Sequence, residues 1–153
     1  MEFQQRAYTC GPAAVRAVLY VLGHNVLEAT IRKWARTTPQ DGTDEKGIIR
    51  AVQRYKHKTK EYQSESSRKS WHWLKTALGR GRPVLLCVDG WGHWVAAVGT
   101  LGGRVLVFDP EIVPGKRRKY SGLQYYNQVE LVERWRYTEE DGKNYYYAIS
   151  VIP

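Results

Sequence analysis

The segment Gln4-Gln5-Arg6-Ala7-Tyr8-Thr9-Cys10-Gly11-Pro12-Ala13-Ala14 decides how the chain is read, because it sets a cysteine at the opening of a helix. Pro12 suits a first helical turn, where its missing N–H would have had no partner. Ala13, Ala14, Ala17, Val18, Val21 and Leu22 then recur at near-helical spacing, and Gly23 supplies a stop. This predicts a largely buried helix from Cys10 to about Leu22. At its N-terminus, unpaired N–H groups and the helix dipole favour negative charge. A free thiol, with a pKa of about 8.5, reacts as its thiolate, so this is a useful place for a sulfur nucleophile. Gly11 removes bulk beside the sulfur, and a substrate backbone is expected to approach there.

Working outward, short helices are expected at 28–36, with Ile31, Trp34 and Ala35 inward, and from a cap at Asp44 to Tyr55. A fourth is expected to start at a Ser70 cap, with Trp71, Leu74, Ala77 and Leu78 inward. After Gly79-Arg80-Gly81 the pattern changes to short apolar runs at 83–88, 93–99 and 104–109, the signature of buried strands. Asn127 and Glu130 have capping-box spacing for a helix at 127–137, with Tyr126, Val129, Val132 and Trp135 inward, and Tyr145–Val151 alternates as a closing strand. Helices first and a meandering antiparallel sheet after them make an α+β layout. With no repeat and no linker, residues 1–153 are expected to form one domain.

Composition narrows the function. The 42% hydrophobic content supports a real core, and no run of about 18 apolar residues suggests a membrane span. The N-terminus lacks the build of a signal peptide, so a soluble cytoplasmic protein is expected. The net charge of +9 comes partly from the tracts Lys56-His57-Lys58-Thr59-Lys60 and Lys116-Arg117-Arg118-Lys119. No zinc-finger, helix-turn-helix or RNA-binding sheet motif accompanies them, so they read as solvated loops or a face for an acidic partner. Nucleic acid is not the expected partner. Two cysteines and scattered histidines make no zinc site, and no metal or organic cofactor is expected. Cys87, inside Pro83–Val88, reads as a small buried thiol.

A nucleophilic sulfur needs a base. His24 follows the helix stop, His57 lies in a basic tract and His72 lies between two tryptophans. His93 instead opens a strand whose hairpin partner ends in Asp109-Pro110. Centring the connection Thr100-Leu101-Gly102-Gly103 on Leu101 puts His93 opposite Asp109 on one face; a half-step later turns Asp109 away. The sequence does not choose between these registers. In the first, the carboxylate orients the imidazole while the other ring nitrogen meets the thiol: nucleophile, base and orienter.

The opening segment resembles the start of C39 and C39-like cysteine peptidases, where a glutamine precedes a Cys-Gly-Pro-Ala helix opening. The resemblance runs on through Trp34-Ala35-Arg36, Asp41-Gly42-Thr43, Gly81-Arg82-Pro83-Val84, Gly92-His93-Trp94-Val95-Ala96-Ala97-Val98-Gly99 and Val107-Phe108-Asp109-Pro110. It implies a papain-like fold, with a nucleophile helix packed on a C-terminal antiparallel sheet. It also implies a Cys10–His93–Asp109 triad and an oxyanion hole from the Cys10 amide and Gln4, six residues upstream, with Gln5 as rival. The implied activity is hydrolysis of a peptide bond in a peptide or protein substrate through a thioester, with a site after a Gly-Gly pair as one option. The alternatives are an acyltransferase or deamidase using the same centre, or a non-catalytic binding module for an acidic partner or nucleic acid. Trp91 and Trp94, flanking His93, are candidates for the cleft wall, with at least one expected in the core.

Overall fold

The fold rests on a computed structural model, which describes residues 2–111 and 122–153. The basic tract Lys116–Lys119 lies outside the described residues.

Three helices come first: α1 (Cys10–Val21), α2 (Glu28–Ala35) and α3 (Glu45–Gln53). Arg36 ends α2 in a left-handed conformation, and Asp44 caps α3 by accepting from the Gly47 N–H at 2.7 Å. Then come β1 (Lys58–Ser64), α4 (Ser67–Gly79), β2 (Val84–Val88), β3 (His93–Leu101), β4 (Arg104–Phe108) and β5 (Leu123–Tyr126). Helix α5 (Gln128–Trp135), β6 (Tyr137–Thr138) and β7 (Asn144–Ile152) complete the chain. A full capping box at Asn127 and Glu130 opens α5.

Several expectations need correction. Ser66 caps α4, accepting from the Lys69 N–H, while Ser70 is buried within the helix. Val129 is exposed on α5, and Leu131 takes the inward place. The tract from Lys58 is no loop: it enters an edge strand that, among the described residues, pairs only with β7, and its lysines project to solvent. The sheet is antiparallel but not a simple meander. Its order is β1-β7-β2-β3-β4-β5, so the closing strand inserts between the first two.

The pleat divides the core between two faces. Leu85, Cys87, Trp94, Ala96 and Phe108 pack with Val15, Val18 and Leu19 of α1 and with residues of α2 and α3. Val84, Leu86, Val95, Ala97, Val105 and Val107 pack with Trp71 and Leu74 of α4 and Leu131 and Trp135 of α5. Each Val or Leu so buried contributes about 1.5–3 kcal/mol before chain entropy is counted. Gly11 answers to this packing. A Cβ there would lie 2.8 Å from the Thr43 Cβ, so its role is close approach of α1 to the 37–43 loop rather than room beside the sulfur. Among the described residues, no helix is long and apolar enough to cross a membrane.

Candidate active site

The hairpin β3–β4 carries two of the predicted residues, and its register differs from both expectations. Leu101 pairs with Arg104 around a two-residue turn in which Gly102 (φ 58°) and Gly103 (φ 77°) are both left-handed, the backbone of a type I′ turn. Continued without a break, that register would set Asp109 opposite Ala96, on the face away from His93. A bulge at Val98 adds one residue to β3, and beyond it Ala96 pairs with Phe108. Asp109, one step further, therefore falls diagonally beside His93 on the same face.

The side chains use that placement. His93 Nε2 lies 2.7 Å from Asp109 Oδ1, which leaves Nδ1 for the thiol, and Cys10 lies near enough to act on the imidazole. Burial disfavours charge on His93, but the hydrogen bond to Asp109, the neighbouring Cys10 sulfur and the charges on both raise its pKa to about 10. Burial likewise opposes ionisation of Asp109. The His93 hydrogen bond, the Glu111 N–H at 3.0 Å and the charges of His93 and Arg134 overcome it and lower the pKa to about 2. Cys10 is the first residue of α1, half-buried, with no side-chain cap and no acidic residue in that first turn. The positive end of the helix dipole is thus left to the sulfur.

The N-terminal segment closes one side. The Gln4 N–H donates to the Pro110 carbonyl at 2.9 Å, next to Asp109, and the buried Glu28 carboxylate accepts from the Gln5 N–H at 3.1 Å. Gln4, Gln5, Arg6, Ala7 and Glu111 line a cavity of about 310 Å³. Gln4 is only 7% exposed and does not yet offer a donor to it. Its Nε2 donates to the carbonyls of Arg6 (2.8 Å) and Ala7 (3.1 Å), and its Oε1 is buried without a partner among the described residues.

Other candidates sort clearly. Trp94 is buried and donates from Nε1 to the Thr43 carbonyl at 2.9 Å, whereas Trp91 is 40% exposed against Tyr137 and Tyr147. Cys87 is 3% exposed, and burial, reinforced by Cys10, pushes its thiol up to about 12. His24 and His57 face each other, Nε2 to Nε2, at 2.8 Å, and His57 Nδ1 meets the Ile152 carbonyl at 3.1 Å. Ligand atoms of His93, Asp109 and Glu111 lie within 4.8 Å of one another. The contacts between His93 and Asp109 occupy those atoms, and the other Asp109 oxygen meets Arg134, so an ion would have to displace them. Arg134 is the residue the sequence reading missed. Its Nη2 lies 2.7 Å from Asp109 Oδ2. The capping box fixed the helix that carries it, but nothing local showed which carboxylate it would meet.

Helices packed on a large antiparallel sheet, with a helix-mouth cysteine meeting a strand histidine, define the papain-like class of α+β fold. Residues 1–142 match the Peptidase_C39 like family, and the chain belongs to it. Among solved structures it is similar to the peptidase domain of Streptococcus ComA, a bifunctional ABC transporter of a quorum-sensing pathway. That match has a TM-score of 0.72 and 19% identity, covering 99% of this chain and 96% of that one. It is also similar to a double glycine motif protease from an AMS/PCAT transporter, in complex with its leader peptide (TM-score 0.67, 20% identity, 98% and 86% covered). The peptidase domain of Streptococcus mutans ComA matches with a TM-score of 0.61 at 16% identity, covering 100% and 98%. No curated protein matches the chain.

Proposed function

We propose that the chain is a cysteine peptidase that cleaves peptide bonds through Cys10, His93 and Asp109. The observation that carries this reading is one imidazole that hydrogen-bonds Asp109 and lies close enough to Cys10, at the mouth of α1, for the sulfur to raise its pKa. On this reading the Cys10 thiolate attacks the scissile carbonyl carbon, and the carbonyl π electrons move onto oxygen. The Cys10 amide and Gln4 stabilise that oxyanion, each donor contributing about 2.7–4 kcal/mol. Gln4 does so by exchanging its bond to Arg6 or Ala7 for one to substrate. The imidazolium gives its proton to the leaving amine as the C–N bond breaks, leaving a thioester on Cys10. His93 then takes a proton from water, whose oxygen attacks the thioester, and the acid and thiolate separate. Asp109 holds the imidazole in the tautomer this requires.

The family and the leader-peptide complex of a relative make a peptide the substrate to test, with Gly-Gly the first cleavage site to try. Incubating a peptide library with wild type and with Cys10→Ala, followed by mass spectrometry, tests the reading. Cleavage by wild type alone supports it, and the fragments report the preferred site. Identical fragments from Cys10→Ala would remove Cys10 from the chemistry. Adding a free amine identifies the acyl acceptor, since aminolysis and hydrolysis give products of different mass.

A further inference from the structure

Arg134 sits in the last turn of α5 and reaches two carboxylates on different parts of the sheet. Its Nε and Nη2 form a fork onto Asp89, at 3.0 Å to Oδ1 and 2.9 Å to Oδ2. Nη2 also meets Asp109 Oδ2 at 2.7 Å, and Nη1 donates to the Tyr126 hydroxyl at 3.1 Å. The backbone joins in, for the Asp89 N–H donates to the Arg134 carbonyl at 3.0 Å. Asp89 begins the connection from β2 to β3, and this connection is strained: Asp89 (φ 54°), Gly90 (φ 66°) and Trp91 (φ 68°) are left-handed in succession. Asp tolerates that conformation and Gly takes it freely, but Trp adopts it only where its surroundings hold it there. Two residues beyond Trp91 stands His93.

We infer that Arg134 is a positioning residue that fixes the plane of the Asp109 carboxylate against His93 and, through Asp89, clamps the strained turn from which the His93 strand departs. This rests on the reading of Cys10, His93 and Asp109 as a catalytic triad. A carboxylate bonded to an imidazole through one oxygen can still swing about that bond. A donor fixed on the second oxygen removes this freedom. The planar guanidinium can serve both carboxylates at once, whereas a lysine ammonium is a point charge without the fork. The charge of Arg134 is also among the influences that keep Asp109 ionised against its burial.

The test needs no peptide substrate. The rate at which iodoacetamide alkylates Cys10 is measured against pH by mass spectrometry, for wild type, Arg134→Gln and Arg134→Lys. The Asp109 carboxyl carbon is titrated by NMR in the same proteins. In Arg134→Gln, Asp109 loses a counter-charge, and the expected result is an acid limb of alkylation and an Asp109 titration each moved measurably upward in pH. In Arg134→Lys, which keeps the charge without the fork, the limb stays near wild type. The rate at neutral pH still falls several-fold, because the imidazole is no longer held in place. Should Arg134→Gln fail to fold, the lysine variant decides, and a neutral-pH rate equal to wild type overturns the inference. A fast wild-type Cys10 with an unshifted profile in a folded Arg134→Gln overturns it alone. Equally slow alkylation of Cys10 and Cys87 in wild type overturns the triad reading and the inference together.

Discussion

The two cysteines lie close enough for Cys10 to raise the pKa of Cys87, yet the fold gives them opposite surroundings. Cys10 opens a helix, is half-buried and meets an imidazole. Cys87 lies in the middle of the sheet opposite Trp94, sealed among apolar neighbours. The element that presents the sulfur sets its chemistry. A helix mouth leaves N–H groups and an approach route, whereas a central strand spends its backbone on its neighbours and buries its side chain.

The sharpest way to break that contrast is substitution. Cys10→Ala is expected to lower peptide cleavage by at least about 10³-fold, and Cys87→Ala to leave it within about 2-fold, compared as kcat/KM. At about pH 6, iodoacetamide should label Cys10 at least about 10²-fold faster than Cys87, read by peptide mapping. Gly11→Ala sharpens the view of the Cys10 side, because the new methyl must push Thr43 aside. Overpacking of this kind costs about 1–3 kcal/mol, measured as a lower urea midpoint.

The stabilising charges beside Cys10 also predict a pH dependence in acid and near neutrality that the Cys87 side, whose thiol titrates only in the alkaline range, lacks. His93, raised from 6.5 to about 10, contributes stability fully present below 6.5 and lost as pH rises through about 10. Asp109, lowered from 3.8 to about 2, contributes stability present above 3.8 and lost as pH falls through about 2. The gap in urea midpoint between wild type and Asp109→Asn should therefore be widest between 3.8 and 6.5 and narrow in both directions. The smallest effect belongs to the buried thiol. Cys87→Ala should cost about 1 kcal/mol, or a Tm lower by roughly 2–4 °C in calorimetry, constant with pH below 9.0, where the Cys87 thiol is neutral folded or unfolded.

Much of this was legible where local chemistry decides structure. Pro12 and the alanines after it announced α1, and Asn127 with Glu130 announced α5. The apolar runs around Leu85, Val95 and Val107 announced the central strands. What stayed hidden depends on distant partners. Lys58–Ser64 has the composition of a loop and becomes a strand because β7, some ninety residues later, offers it an edge. Leu123–Tyr126 becomes one because β4 does. His93 and Asp109 were found as a pair, but the turn lay further on than expected and the bulge at Val98 made good the phase. A bulge is a response to packing and leaves little trace in a single sequence. Arg134 was missed for the same kind of reason, since Asp89 is 45 positions away.

The glycine turn and the bulge together have a use in engineering. Among the described residues, neither Gly102 nor Gly103 has a neighbour that an added Cβ would strike, and Leu101 beside them points outward. Strand pairing at the His93 end is fixed by Ala96, Ala97, Val107 and Phe108, on the far side of the bulge. A reporter peptide grafted between Leu101 and Arg104 can therefore lengthen the hairpin tip while Asp109 keeps its place beside His93.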